Sequence, residues 1–444
     1  MARKITRRLK IVHPECAGID IGGSRHYVAV DPERSDEPVR SFGSFTDELQ
    51  AMGQWLHECG VKVVAMESTG VYWIPVYEVL ERMGLEVHLV NPRATKQVSG
   101  RKSDVLDCQW LWQLMSYGLL RGAFRPAEAV CELRCYVRQR ARLVREQGTS
   151  VQHIQKALTQ MNVQLANVLS DVTGKTGLKI LRAIVAGERD GAKLAALRDG
   201  RVKADEQTIA RSLVGTWRAE HVFALSQALA RYDFYAQQIV QCETCILDTS
   251  AALSLDTDTA PEAAAKPARS PWEKRMRATL HATLGVDLTA IPTIGIETAL
   301  TVASEVGADL SRFPSCAHFC SWLHLAPGTR ISGGKPLPGR GPSPVNRLGQ
   351  ALRVAAATAR TSQSFIGASH RARLARLDKP RAIKATAHQL ARLIYALLTR
   401  GEQYVEKGIA HYEAVRRDKH LPALQRNARR LGFTLVEQPI QSVA

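Results

Sequence analysis

Four carboxylates stand where a purely structural role would not place them. Asp20 is flanked by Ile19 and Ile21 in an apolar run, where a charge is costly unless it is paired or binds a metal. Glu67 follows a second apolar run, Val61 to Met66, just where Ser68-Thr69-Gly70 begins. Asp104 and Asp107 are three residues apart, which on a helix puts them about 60° apart on one face, able to share an ion. Carboxylate sets of this kind suit Mg²⁺. Two such ions about 4 Å apart activate an attacking oxygen and stabilise a leaving one in phosphodiester chemistry. Taken singly, the two aspartates are also what a solvated helix face carries, and Glu67 what an ordinary strand end carries. A second constellation is Pro327-Gly328-Thr329-Arg330-Ile331-Ser332-Gly333-Gly334-Lys335, followed by Arg340, Asn346-Arg347 and Arg353. A serine beside two glycines can approach a phosphate closely, with Arg330, Lys335, Arg340, Arg347 and Arg353 neutralising its charge. The same Ser-Gly-Gly also suits a plain flexible turn.

The first 120 residues must position the carboxylates. Cys16 to Ile21 reads as a strand, Gly22-Gly23-Ser24 as a hairpin turn, His26 to Val30 as the return strand and Val39 to Phe45 as a third. Thr46 reads as the N-cap of a helix through Leu49, Met52, Trp55 and Leu56, ahead of a buried strand at Val61 to Met66. A helix through Val76, Val79, Leu80 and Met83, a strand at Val87 to Val90 and a helix from about Ser103 past Trp112 complete the order β-β-β-α-β-α-β-α.

Pro126 reads as the first residue of a long helix. Val130, Val137, Val144, Val151, Leu158 and Leu165 recur every seven residues, with Leu133, Ile154, Met161 and Val168 three later, the pattern of a coiled coil. Arg140, Gln147 and Gly148 weaken its middle. A second long helix through Val222, Leu225, Leu229, Tyr232, Ile239 and Ile246 could return against it in one chain or serve oligomerisation. The expected organisation is α/β followed by α: residues 1–125, a coiled-coil helical middle over 126–250, a linker over 251–271, a mainly helical domain with the serine loop over 272–400 and a basic helical tail over 401–444.

Composition narrows the function. The 444 residues carry a net charge of +18, with 45% hydrophobic and 23% charged residues, which excludes a disordered polyelectrolyte. Residues 1–120 are nearly neutral at −1, whereas 312–444 carry +16. Between Asp309 and Asp378 there is no acidic residue, and arginine outnumbers lysine, so a polyanion is the natural partner. No apolar run reaches the roughly 20 residues of a membrane span, and the basic start lacks the apolar core of a secretory signal. Nine scattered cysteines read as reduced thiols and a cytoplasmic protein. Cys242 and Cys245 have no second pair at zinc spacing and read as structural.

Residues 11–120 resemble the ribonuclease-H-like fold of RuvC-type resolvases and transposases, in which the first strand, the fourth strand and a late helix supply metal ligands. Adding the long helices, Ile291-Pro292-Thr293-Ile294-Gly295 and the serine loop, nearly the whole chain resembles the DEDD transposases of the insertion sequence 110 family. Thr293 stands where that family commonly places glycine. The resemblance implies that Asp20, Glu67, Asp104 and Asp107 bind Mg²⁺ and that Ser332 attacks the scissile phosphate, forming a phosphoserine link to DNA in a composite site joining both ends of the chain. It further implies donor and target DNA as partners, a structured bridge RNA pairing with both, and a homo-oligomer, dimer to tetramer, on DNA. Two other functions fit the same residues: a metal-dependent structure-specific nuclease in which water attacks, and a non-catalytic nucleic-acid-binding protein.

Overall fold

The computed structural model describes residues 10–68, 70–91, 104–254, 270–327, 330–337, 346–401 and 408–436. The chain divides into two compact units, Met1–Arg125 and Pro126–Ala444. No helix among the described residues is long and apolar enough to cross a membrane.

The first unit contains β1 (Cys16–Ile21), β2 (Arg25–Ala29), β3 (Val39–Gly43), α1 (Thr46–Glu58), β4 (Val63–Glu67), α2 (Trp73–Arg82), β5 (Glu86–Val90) and α3 (Asp104–Ser116). The order is the one the apolar pattern predicts. The strands form a mixed sheet in the order β3-β2-β1-β4-β5, with β1 antiparallel to β2 and parallel to β4. Strand alternation sends successive side chains to opposite faces. Ile19, Val28, Val64 and Met66 therefore join α1 and α2 in one core, while Cys16, Ala65 and Val90 meet Leu111 and Met115 of α3 in another. A mixed sheet covered by helices in this way is consistent with a ribonuclease-H-like domain. Thr46 is the first helical residue of α1 rather than its cap, which is Phe45. Glu48 supplies the capping instead, its carboxylate accepting from the Gly43 and Phe45 N–H groups at 3.2 and 3.4 Å.

The second unit is mostly helical. Its first part comprises α4 (Glu128–Gln160), α5 (Leu165–Val168), α6 (Lys175–Val185), α7 (Gly191–Ala195), α8 (Glu206–Ser212) and α9 (Ala219–Ala252). Helix α4 starts at Glu128, two residues after Pro126, and runs unbroken through Gly148. Helix α9 returns antiparallel along it, with Arg140 ion-paired to Glu243 and His153 hydrogen-bonded to Arg231. The strict heptad describes this packing only in part: Leu133, Ile154, Leu158 and Met161 are buried as it expects. Val144 is 43% exposed, and Leu165 and Val168 fall on the separate α5. The buried stripe is Leu133, Leu143, Ser150, Ile154, Ala157 and Leu158, because α4 changes neighbours along its length. Its C-terminal end enters a core with α5 to α9, including Ile180, Leu194, Ile209 and Leu225.

The remaining elements are α10 (Pro271–Leu284), a 3₁₀ turn (Leu288–Ala290), α11 (Ile296–Glu305), α12 (Cys316–Trp322), strands β6 (Arg330–Ser332) and β7 (Lys335–Leu337), α13 (Arg347–Thr358), α14 (Phe365–Leu374), α15 (Lys379–Arg400) and α16 (Gly408–Arg430). Arginines of α4 fasten α11 and α9. Arg138 makes a bidentate pair with the buried Glu305 at 3.0 and 2.8 Å, and Arg134 donates to the Ser304 and Glu305 carbonyls. Arg140 bridges Glu243 and Glu297, each at 2.9 Å, and lies 4.3 Å over the Trp272 ring. The residue that weakens the heptad on paper is thus a hub joining α9, α10 and α11. Glu305→Ala is expected to destabilise this unit by about 2–3 kcal/mol, because two arginines lose a buried counter-charge, read as a lower urea midpoint by circular dichroism.

Candidate active site

The carboxylates are set by strand register. Ile19 pairs with Met66 across the parallel β1–β4 ladder, so one step further Asp20 and Glu67 stand at the same level, at the carboxyl ends of adjacent strands. Alternation from Ile19 and Met66, which face α1 and α2, turns both acids to the α3 face. Both are partly buried. Carboxyl ends of parallel strands are where open α/β sheets bind ligands.

Helix α3 reaches this edge because of one glycine. A Cβ on Gly18 would lie 2.4 Å or less from the Trp112 backbone nitrogen and the Cys108 carbonyl oxygen, so α3 crosses β1 at backbone distance. Leu111 and Met115 are buried beneath it, and the Val12 and His13 N–H groups both donate to the Ser116 carbonyl at the helix end. Asp107 is partly buried on α3, and Asp104 is its first residue, one turn ahead of Cys108. Cys108 reports the local field. Burial pushes its thiol up to about 12, and the Asp20 and Asp107 carboxylates push in the same direction. Asp20 of β1 and Asp107 of α3 are therefore both near enough to act on Cys108 electrostatically. Among the described residues, no group of three or more His, Cys, Asp or Glu side chains is close enough to hold a metal ion.

Ser332 lies on a hairpin, where the sequence reading had a loop. Strands β6 and β7 are antiparallel with Ser332 opposite Lys335, and Gly333 and Gly334 form a two-residue turn with φ of 56° and 76°. Left-handed dihedrals at both turn positions are the reason for two glycines, and a Gly-Gly pair between short runs is a hairpin signal. Ser332 and Lys335 are both exposed. Arg330 opens β6, and Arg340 lies outside the described residues. Arg347 is exposed at the start of α13, whose cap Asn346 accepts from the Gly349 N–H at 2.8 Å and donates to the Trp322 carbonyl at 3.2 Å. Arg353 is partly buried and donates to the His324 carbonyl at 3.1 Å, and burial lowers its pKa. Lys384 of α15 is also lowered, by burial first and then by Arg353, so these two cations are neighbours. No local motif marks Lys384, since it joins Arg353 only through tertiary packing.

Between the 3₁₀ turn and α11, Ile291 to Gly295 forms a tight bend. Thr293 adopts φ 78°, a left-handed conformation costly for a β-branched residue, and its Oγ1 is buried without a hydrogen-bond partner among the described residues. The bend keeps a backbone suited to glycine although threonine occupies it.

An acidic strand edge crossed by a helix in one unit and a basic serine hairpin in the other are the features expected of an enzyme acting on nucleic-acid phosphates. Residues 17–163, which include all four acids, match the DEDD transposase model of the IS110 type, and residues 287–370, which include Ser332, match the Transposase IS116/IS110/IS902 family. The chain belongs to the IS110 family of transposases. No curated protein matches the chain. Residues 371–444 lie beyond both matched segments.

Two substitutions probe these backbones. Gly18→Ala is expected to displace α3, cost about 2–3 kcal/mol and abolish DNA cleavage, checked by thermal melting alongside a strand-cleavage assay. Thr293→Gly is expected to stabilise the protein by about 1 kcal/mol, because relief of the left-handed strain exceeds the added freedom of the unfolded chain. A higher chemical-denaturation midpoint is the readout.

Proposed function

We propose that this transposase cuts and rejoins DNA through a covalent intermediate, with Ser332 as nucleophile and Asp20, Glu67, Asp104 and Asp107 as the acidic centre. The observation that carries the reading is the placement of Ser332. It stands exposed beside a two-glycine turn, directly across the strand pair from Lys335. Paired Cβ atoms in such a ladder are about 5 Å apart, so the ammonium can neutralise a phosphate that the serine oxygen attacks. The serine oxygen forms a new bond to phosphorus while the bond to a deoxyribose oxygen breaks. The serine proton goes to solvent, and the departing oxygen leaves as a hydroxyl. The phosphoserine ester keeps the bond's energy, so attack by another deoxyribose hydroxyl rejoins the strand and restores serine.

The donor chemistry of the acids, though not a preformed cluster among the described residues, suits a hard divalent cation. Asp20 and Glu67 offer only oxygen donors from two strands in register, and Asp107 approaches from α3. The buried Cys108 thiol, pushed up to about 12, stays protonated and so is no competing soft ligand. Mg²⁺ held by Asp20, Glu67, Asp104 and Asp107 would supply Lewis-acid stabilisation of charge at the scissile phosphate. Bridge RNA supplies sequence choice in this proposal by pairing with donor and target DNA, and subunits assemble on the DNA, two to four together. The charge of +16 over residues 312–444 supports a second polyanion, because it exceeds what a serine hairpin alone requires.

The test is to incubate the protein with Mg²⁺, DNA bearing element junctions and candidate RNA, and to look for denaturant-resistant protein–DNA adducts. The expected adduct disappears in Ser332→Ala and falls at least about a hundredfold in Asp20→Asn. Free cleaved ends that survive Ser332→Ala but vanish in Asp104→Ala would mean that water is the nucleophile.

A further inference from the structure

The last three helices enclose a groove that the serine chemistry does not use. Each contributes one stripe at helical spacing: Ser369 and Arg373 from α14, with Arg376 just beyond it; Ala385, His388 and Arg392 from α15; Tyr412, Arg416 and Lys419 from α16. The cavity is about 570 Å³, within the range of ligand clefts. An edge-to-face contact between Phe365 and Tyr412, with centroids 5.2 Å apart, fastens α16 over it.

The stripe by which a helix packs on its neighbours is ordinarily apolar. Here α16 turns Arg416 and Lys419 toward a wall that already carries Arg373, Arg376 and Arg392, and among the described residues no carboxylate lines the cavity. The nearest acid along α15, Asp378, caps that helix by accepting from the Arg381 N–H, and pairs with the Arg381 side chain. Arg373 is partly buried, and the hydrogen bond recorded for it goes to the neutral Thr386 hydroxyl at 2.9 Å. His388 shows the resulting field: burial lowers its pKa, and Arg392, Arg373 and Lys384 all lower it further. Arg376, Arg392, Arg416 and Lys419 are exposed, so water screens part of their repulsion, and an anion in the groove would relieve the rest; Glu413 and Asp418 of α16 do not line it.

We propose that the groove between α14, α15 and α16 binds the phosphate backbone of nucleic acid, apart from the serine hairpin. The proposal rests on the transposase reading, in which DNA and RNA are the available polyphosphates. Arginine supplies four of the five cations, and its planar fork matches phosphate oxygens bidentately. A backbone strand laid along the groove offers successive phosphates to all three stripes. The groove lies beyond residue 370, outside both matched family segments.

The test uses the full chain and two labelled probes of the same arbitrary sequence, a DNA duplex and a single-stranded RNA, titrated over a range of salt. Arg376→Gln, Arg392→Gln and Arg416→Gln combined are expected to weaken binding at least about tenfold and to flatten the plot of log affinity against log salt. The slope should fall by about 0.9 per contact for duplex DNA or about 0.7 for single-stranded RNA. The probe whose slope falls identifies the occupant. The corresponding triple arginine-to-lysine variant keeps the charge and so should keep the wild-type salt slope, losing less affinity than the glutamine variant. Unchanged affinity and slope with both probes in the glutamine variant would overturn the proposal. Equal losses in the lysine and glutamine variants would also overturn it, since the loss would then come from packing. A protein that passes this test but forms no Ser332 adduct would refute the covalent mechanism and leave the groove standing.

Discussion

The approach of α3 to β1 at Gly18 is the constraint on which the acidic centre depends. A sheet edge alone can present Asp20 and Glu67 side by side, but a third acid must come from another element, and a helix stands about 10 Å from a sheet when side chains separate them. Removing the side chain at one strand position brings the helix backbone against the strand backbone. Leu111 and Met115 then seal the contact, each contributing about 2 kcal/mol of apolar burial. Asp20, Glu67 and Asp107 stay at the rim, partly open to solvent. The cost of charge near an apolar layer is thereby limited to groups that are only partly buried.

The helical unit solves a different problem with different chemistry. Its long helices pack along a buried seam, and charged hydrogen bonds add direction to that contact. Arg134 and Arg138 close on Glu305, and Arg140 on Glu243 and Glu297. Bidentate guanidinium pairs are directional in a way that apolar contacts are not, and they fix how α11 lies across α4. This matters because α11 follows the strained Thr293 bend, so the bend is held in place by α4.

Much of the first unit was legible in the sequence because its strands are short apolar runs with turn residues between them. Asp20 and Glu67 stood out for the same reason, as charges that interrupt or end such runs. The role of Gly18 was not legible, since a glycine in a strand shows only that something comes close and not what. The heptad from Val130 to Leu165 found Leu133, Ile154 and Leu158 but misled at its far end, because a regular apolar period can outlast the helix that carries it. α4 ends at Gln160, and Leu165 belongs to another element. Ser332 was singled out by its glycines and basic neighbours, yet the hairpin was missed: its strands are three residues each, too short for alternation to register. The basic groove could not be seen at all, because its cations are spread over more than forty residues on three helices and become one surface only when α16 docks.

The two-residue turn beside Ser332 also sets how this region can change over time. In a hairpin, the loop length determines which residues stand opposite one another and to which face each points. Replacing a neighbour of the serine alters charge or size and leaves its direction intact. Adding or deleting one residue between Ser332 and Lys335 reverses the side of the ribbon on which one of them emerges, and the pair no longer meets. The segment is therefore open to substitution but closed to length variation, and diversity among related enzymes should accumulate here by exchange of residues rather than by insertion.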